Sequence, residues 1–257
     1  MLSRSETKGI RALGNRKDRE AEGLFLAEGV RVVEELLDAA IPVRKSVVSP
    51  ALYETERGGR LAARLTAAGP VLDAGRNELN ELADTSTNQG VLVVAEIPFA
   101  DLDALPLGET STLLVLDGVQ DPGNLGTLIR SATAFGCDAA AYLPGTVDPW
   151  NPKAVRASAG TVFRTPIVAA GPESLADWLG EHDYLLLGAD AAGRPVDRLA
   201  LSGRTALAVG NEGGGLSGFL RSRADSLVAV PMAEAVESLN VAVAAGILLY
   251  LVTRNPA

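Results

Sequence analysis

The 257-residue sequence has one cysteine, Cys137, and one histidine, His182. A lone cysteine excludes an intrachain disulfide. One residue of each kind also excludes a Cys/His zinc cage within the chain and any nucleophilic pair that uses two histidines. A Ser-His-Asp triad would have to use His182, which stands in the polar stretch Gly-Glu-His-Asp-Tyr and reads as a surface loop residue. Aromatics are only 4%, so the core must be built from Ala, Val and Leu. Long apolar runs are missing as well. The most apolar stretch, Val241 to Val252, falls short of the ~20 residues that span a bilayer. The first twenty residues hold no apolar segment of the signal-peptide kind. Together these scarcities point to a cytoplasmic protein with no membrane association.

Hydrophobic residues at 47% and charged residues at 21% are enough for a packed core. The net charge of −9 argues against a general polyanion binder. Its distribution is uneven, however. Residues 1–19 carry Arg4, Lys8, Arg11, Arg16, Lys17 and Arg19 against Glu6 and Asp18, a net of +4, so the rest holds −13. A basic N-terminal arm on an acidic body suggests a local RNA contact through Arg16, Lys17 and Arg19, and a solvated, frayed terminus explains the same charges equally well.

Along the chain, strand-like and helix-like segments alternate. Residues 24–29, Leu-Phe-Leu-Ala-Glu-Gly, read as strand-like and the following Val-Arg-Val-Val-Glu-Glu-Leu-Leu-Asp-Ala-Ala as a helix by its apolar spacing. Further alternation up to the β-branched run near Val91 predicts a small α/β domain over residues 1–97. Residues 98–110, with two prolines and three acidic residues, read as a linker. Residues 111–257 form a second α/β domain. Leu113 to Leu116 is a strand buried on both faces, Leu125 to Phe135 is a helix closed by Gly136, and the last helix is apolar nearly all round and expected to be buried.

Three segments of the second half carry chemistry. The first, residues 116–132, runs from a buried strand through Pro122, Gly123, Asn124 and Gly126 into a helix bearing Arg130. Its glycine spacing matches neither a P-loop nor a dinucleotide fingerprint. Asn124 and Arg130 stand six apart and would converge only if the loop folds back; alone, Arg130 is equally a surface cation. The second, residues 206–217, ends a strand in Gly210-Asn211-Glu212-Gly213-Gly214-Gly215. A glycine-rich loop at the carboxyl edge of a sheet suits close approach to a ligand. The third runs from Val230 through Pro231 and Met232 to Ser238, Leu239 and Asn240; Ser238 or Asn240 is suited to cap the last helix.

In order and spacing these segments resemble the three motifs of the SpoU (TrmH-like) branch of the SPOUT methyltransferases. The first is Asn-x-Gly-x-x-x-Arg (Asn124, Gly126, Arg130), the second Gly-Asn-Glu-Gly-x-Gly (Gly210 to Gly215), the third Pro-Met-x-x-x-x-x-Ser-Leu-Asn-Val (Pro231 to Val241). The resemblance covers about residues 111–254. More weakly, residues 23–96 resemble the family's N-terminal substrate-binding domain, an α/β module similar to kink-turn-binding ribosomal proteins.

The resemblance implies a C-terminal α/β domain threaded into a deep trefoil knot and a homodimer whose sites are each completed by the partner chain. It implies S-adenosyl-L-methionine as methyl donor, no metal, and RNA as substrate, methylated on a ribose 2'-hydroxyl, with ribosomal RNA favoured over transfer RNA. Carried over, Gly210, Asn211, Gly213, Val230, Pro231, Met232 and Leu239 are expected to hold the cofactor. Asn124, Arg130, Glu212, Ser238 and Asn240 are expected to form the reactive site. Glu212 is expected to order its loop or the arginine, with a direct base role as the alternative. Lys153, Arg156 and Arg164, between the first two motifs, are expected to extend the RNA surface. Two readings compete: a base methyltransferase on the same fold, and a non-catalytic RNA-binding assembly factor.

Overall fold

The computed structural model describes residues 2–83, 85, 88–196, 201, 203–233 and 238–254. The chain forms two compact units, one of Met1–Pro98 with Asp148–Arg164 and one of Phe99–Val147 with Thr165–Ala257.

The first unit opens with two helices, α1 (Arg4–Ala12) and α2 (Arg16–Glu22). The basic N-terminus is therefore helical rather than a frayed arm. Ser3 and Glu6 close a reciprocal capping box at the start of α1. Ile10 and Leu13 are buried against the sheet that follows, which ties these helices down. That sheet has the order β1-β4-β2-β3, from β1 (Leu24–Glu28), β2 (Val43–Val48), β3 (Val71–Asp73) and β4 (Val91–Glu96). The central β4 is antiparallel to both neighbours, and β2 and β3 are parallel. The helices α3 (Val30–Asp38), α4 (Glu56–Ala68) and α5 (Arg76–Asn80) complete the α/β alternation.

The second unit holds a six-stranded parallel sheet. Its first strand is β5 (Ser111–Asp117), whose apolar run is buried almost throughout. Helix α6 (Pro122–Phe135) follows. It starts three residues earlier than its apolar pattern predicts, because the Asp121 carboxylate accepts from the Asn124 N–H at 2.7 Å and Pro122 fits the first turn. Gly136, at φ +79°, ends it as expected. After β6 (Ala139–Tyr142) the chain leaves for Asp148–Arg164, which contains α7 (Pro152–Ala157), and returns with β7 (Ile167–Ala169). Helix α8 (Pro172–Glu181), β8 (Tyr184–Pro195), β9 (Arg204–Gly210), α9 (Gly218–Arg223), β10 (Ser226–Ala229) and α10 (Val241–Arg254) complete it. The strand order is β10-β8-β9-β5-β6-β7. His182 caps α8 rather than lying in a loop: its ring stacks on Trp178 at 4.3 Å and its Nδ1 lies 2.8 Å from the Trp178 carbonyl.

Two features depart from the linear reading. The segment Asp148–Arg164, drawn from the second half of the sequence, packs in the first unit. Arg19 explains part of this. It is 1% exposed, and its Nε donates to Asp148 at 2.7 Å while Nη1 donates to the Leu13 and Gly14 carbonyls. Phe25 packs at a tilt against Trp150 and Phe163, and Gly160 presses so closely on α3 that a Cβ there would lie 2.5 Å from that of Glu35. The second departure is α10. Its inner face is buried, yet Val243, Ile247 and Tyr250 form an exposed apolar stripe at helical spacing.

Candidate active site and cofactor cleft

In an open parallel sheet, ligands bind outside the carboxyl ends of strands where the strand order reverses. Here that point lies between β5 and β9, which pair over their whole length and end together at Asp117 and Gly210. The loops leaving these two strands are the first and second motif segments. A cavity of about 380 Å³ opens beside them, walled by the glycine loop, the middle of β8 and α10.

Gly210 is what lets the loop fold. A Cβ there would lie 2.1 Å from the Gly215 carbonyl carbon and 2.2 Å from the Leu216 nitrogen. The loop closes on itself, with Asn211 and Gly215 exchanging backbone hydrogen bonds at 2.9 Å. The Asn211 side chain fills the turn. It accepts from Gly213 N–H and Gly214 N–H and donates to the Gly118 carbonyl. Asn211 borders the cavity, but its amide is spent on shaping the loop.

Glu212 joins this loop to the first motif. Its carboxylate accepts from Gln120 N–H at 3.2 Å, Asp121 N–H at 3.1 Å and Asn124 Nδ2 at 3.1 Å. Asn124 Oδ1 then accepts from Asn240 Nδ2 at 2.9 Å, and Asn240 Oδ1 accepts from Ala242 N–H at 2.9 Å at the start of α10. The polarity of this relay is forced at both ends. An ionised carboxylate only accepts and a helix N-terminus only donates, so both amides can point one way only. Partial burial works to raise the Glu212 pKa, but the hydrogen bonds from its own N–H, Asn124, Asp121 and Gln120 outweigh it and hold the carboxyl below its usual value. A carboxylate held in this way is a weak base. Its geometry is that of a positioning residue.

The other expected residues divide. Gly210, Gly213, Val230, Met232, Ser238 and Leu239 border the cavity with Glu212, whereas Pro231 lies outside its lining and is exposed. Asn240, not Ser238, caps α10; the Ser238 hydroxyl has no hydrogen-bond partner among the described residues. Residues 234–237, in the middle of the third motif, lie outside the described residues. Arg130 sits on the exposed face of α6. Six helical steps put it about 120° around and about 9 Å along from Asn124. Its guanidinium has no hydrogen bond or ion pair among the described residues. The loop does not fold back to bring the two together within one chain.

Sequence reasoning missed Asp190, midway along β8. It borders the cavity, accepts from Ala192 N–H at 2.8 Å and pairs with Arg221. The signal was a carboxylate directly after the apolar run Tyr-Leu-Leu-Leu-Gly-Ala. Among the expected RNA contacts, Arg16, Lys17 and Lys153 are exposed. Arg164 pairs with Glu35 at 2.6 Å. Arg156 lies 3.7 Å from the Glu28 carboxylate. Arg19 is corrected: a buried side chain committed to Asp148 and two carbonyls has no reach to RNA. All six sit in the first unit, although half come from the second half of the sequence.

Fold and site together define an α/β protein whose ligand cleft is a glycine loop locked to two neighbouring loops by an amide relay. Comparison with known proteins gives this class a family. Residues 111–250 match the SpoU rRNA Methylase family and residues 4–93 the MRM3-like substrate binding domain. The 23S rRNA (guanosine(2553)-2'-O)-methyltransferase RlmP of Bacillus subtilis is 34% identical, over 95% of this chain and 94% of its own. The 23S rRNA (uridine(2479)-2'-O)-methyltransferase of Streptomyces viridochromogenes is 33% identical, over 95% and 87%. The crystal structure of the SpoU methyltransferase AviRb from Streptomyces viridochromogenes, in complex with the cofactor AdoMet, superposes with a TM-score of 0.90 at 31% identity, covering 98% of both chains. An AdoMet-bound rRNA methyltransferase from Sinorhizobium meliloti gives 0.88 at 31%, covering 99% of this chain and 97% of the other. The chain belongs to the SpoU rRNA methylase family. Its second unit has the knotted SPOUT fold of these enzymes.

The cleft fits the family's cofactor. Its apolar walls, including Val209, Leu239 and Leu248, suit an adenine ring, and Asp190 supplies a carboxylate for polar or cationic groups. Among the described residues no cluster of His, Cys, Asp or Glu is suited to a metal, and no helix is long and apolar enough to cross a membrane.

Proposed function

We propose that this chain transfers a methyl group from S-adenosyl-L-methionine to a ribose 2'-hydroxyl of 23S ribosomal RNA. The observation that carries the reading is the relay from Glu212 through Asn124 and Asn240 to α10, which draws all three motif segments to the cleft. The cofactor supplies an electrophilic methyl on a sulfonium, so the protein's task is to place a hydroxyl against it, and positioning of this kind supplies a large share of a rate. The Ser238 hydroxyl, at the cleft and without a partner among the described residues, is suited to hold the 2'-hydroxyl. Arg130, effectively always protonated, binds the adjoining phosphate and stabilises negative charge developing on the oxygen.

We further propose a homodimer in which Arg130 acts in the partner's site. Its guanidinium, turned away from its own Asn124 and without a partner among the described residues, supports this, as does the exposed stripe Val243, Ile247 and Tyr250 on α10, which packs against α6. A cytoplasmic location accords with an RNA substrate. It also accords with a reduced Cys137, whose thiol burial and the neighbouring Asp138 push up to about 12.

The test is transfer of radiolabelled methyl from S-adenosyl-L-methionine to 23S ribosomal RNA and to bulk transfer RNA, each from cells lacking this protein, followed by digestion to nucleosides. Label in a 2'-O-methyl nucleoside of 23S RNA is the expected result. Label in a base overturns the ribose assignment. No label, from a folded protein that binds the cofactor, overturns the enzymatic reading.

A further inference from the structure

The cofactor cleft has a one-sided charge. Among the described residues that line it, two side chains are charged, Asp190 and Glu212, and both are carboxylates. Glycines, apolar residues and uncharged polar side chains make up the rest of the described lining. Glu212 is committed to Gln120, Asp121 and Asn124. Asp190 takes no part in that relay, and the methyl transfer proposed above leaves it unused.

The strand that carries Asp190 places it there. The register of β8 on β10 passes from Gly188 opposite Leu227 to Arg194 opposite Val228, so residues 189–193 bulge relative to β10. Bulges of this kind re-aim a side chain beside a site. The Asp190 side chain is 15% exposed. Its Oδ1 accepts from Ala192 N–H at 2.8 Å, which fixes the carboxylate, and its Oδ2 accepts from Arg221 Nη1 on α9. The Arg221 side chain is 48% exposed and is not among the residues lining the cleft. The carboxylate thus borders the cleft, while its partner cation stands outside the lining, half in solvent.

We propose that Asp190 makes the cleft prefer the cationic methyl donor to its product, and that Arg221 sets the strength of that preference by pairing with Asp190. The inference deepens the proposed function and rests on S-adenosyl-L-methionine as the donor. That donor carries an ammonium, a carboxylate and a sulfonium, so its net charge is positive. Transfer of the methyl to the ribose oxygen returns the C–S bonding pair to sulfur, and the hydroxyl proton leaves to solvent. The product keeps the ammonium and the carboxylate and has no net charge. Specificity is a difference of affinities, and the difference here is one charge. A cleft with apolar walls and charges of one sign focuses its field on what it holds. Its volume of about 380 Å³ gives it dimensions comparable with the ~8 Å Debye length, so salt screens little within it. Arg221 offsets part of the Asp190 charge and is a positioning residue that acts through it. The result is a cleft that loads donor and sheds product.

The test is calorimetric titration of the full chain, without RNA, with S-adenosyl-L-methionine, S-adenosyl-L-homocysteine and sinefungin, an analogue bearing an ammonium in place of the sulfonium. The wild type is expected to bind the two cationic compounds about tenfold more tightly than the homocysteine compound. Asp190→Asn is expected to bring that ratio below about twofold by weakening the cationic compounds, with the homocysteine compound changed little. Arg221→Met is expected to raise the ratio about threefold. An equal loss of all three affinities in Asp190→Asn overturns the inference, since a structural role or a contact to the shared ribose would act that way. Sinefungin following the homocysteine compound in Asp190→Asn overturns it too, because a contact to the methyl group would then be at work instead of charge. If Asp190→Asn does not fold, Arg221→Met decides the same point, and an unchanged or lowered ratio there overturns the inference. A wild type that binds donor and product equally counts against the charge argument alone. One that binds neither counts against the proposed function, and the inference falls with it.

Discussion

Replacing Arg19 by Met should destabilise the first unit selectively. The Arg19 and Asp148 side chains are 2% and 9% exposed and meet at 2.5 Å, and Arg19 also donates to the Leu13 and Gly14 carbonyls. Met fills much of the same volume. It leaves a buried carboxylate without a cation and two carbonyls without donors, and removing one partner of such a pair costs about 3–5 kcal/mol. Asp148→Asn should cost less, about 1–3 kcal/mol, because the amide oxygen can still accept from Trp150 N–H as Asp148 does. The double variant should be more stable than the sum of the two losses predicts, since no uncompensated charge remains. The two tryptophans make the measurement direct: Trp150 lies in the first unit and Trp178 in the second. In a Trp178→Phe background, Trp150 fluorescence follows the first unit alone. With a urea slope of about 2 kcal/mol per molar, the Arg19→Met midpoint should fall by about 2 M. A shift under about 0.3 M, or strict additivity in the double variant, would refute the reasoning.

Other outcomes follow from the site. Gly210→Ala puts a Cβ into the Gly215 and Leu216 backbone; cofactor affinity, read by calorimetry, should fall at least about tenfold, and unchanged affinity would contradict the loop geometry. Glu212 has a lowered pKa in the folded chain, so its stabilising contribution is complete above the ordinary carboxylate range and is lost as pH falls below it. Methyl transfer between pH 6 and 9 should then show no titration attributable to Glu212. Glu212→Gln should lower the rate without changing the shape of that pH profile, and a changed shape would restore Glu212 as base. Arg130→Lys should lose nearly all activity if the planar two-pronged donor is needed, and keep part of it if charge suffices. Mixing inactive Arg130→Ala with inactive Asn124→Ala should restore activity if the site spans two chains; no restoration would remove the composite dimer site.

The sequence itself specified much of this protein. The continuous apolar run at Leu113 to Leu116 required a strand covered on both faces, and β5 is buried accordingly. The glycine-rich run from Gly210 to Gly215 marked a loop at the carboxyl edge of the sheet, and the structure adds that Gly210 is crowded by the backbone of its own loop, at Gly215 and Leu216. The order and spacing of Asn124, Glu212 and Asn240 marked the family, because those residues sit in a loop or at a helix start just beyond the strands, whose pattern locates them. What the tertiary structure decided were pairings between distant segments. Asn124 and Asn240 were each legible as caps or loop residues, yet the direction of their amides depends on a carboxylate 88 residues from Asn124 at one end and the start of α10 at the other. Arg19 looked like an RNA contact because charge is normally solvated. Asp148, 129 residues away, reversed that by supplying a buried counter-charge. Val243, Ile247 and Tyr250 looked like core because apolar periodicity counts residues and not neighbours; only packing shows which face of α10 the chain leaves uncovered.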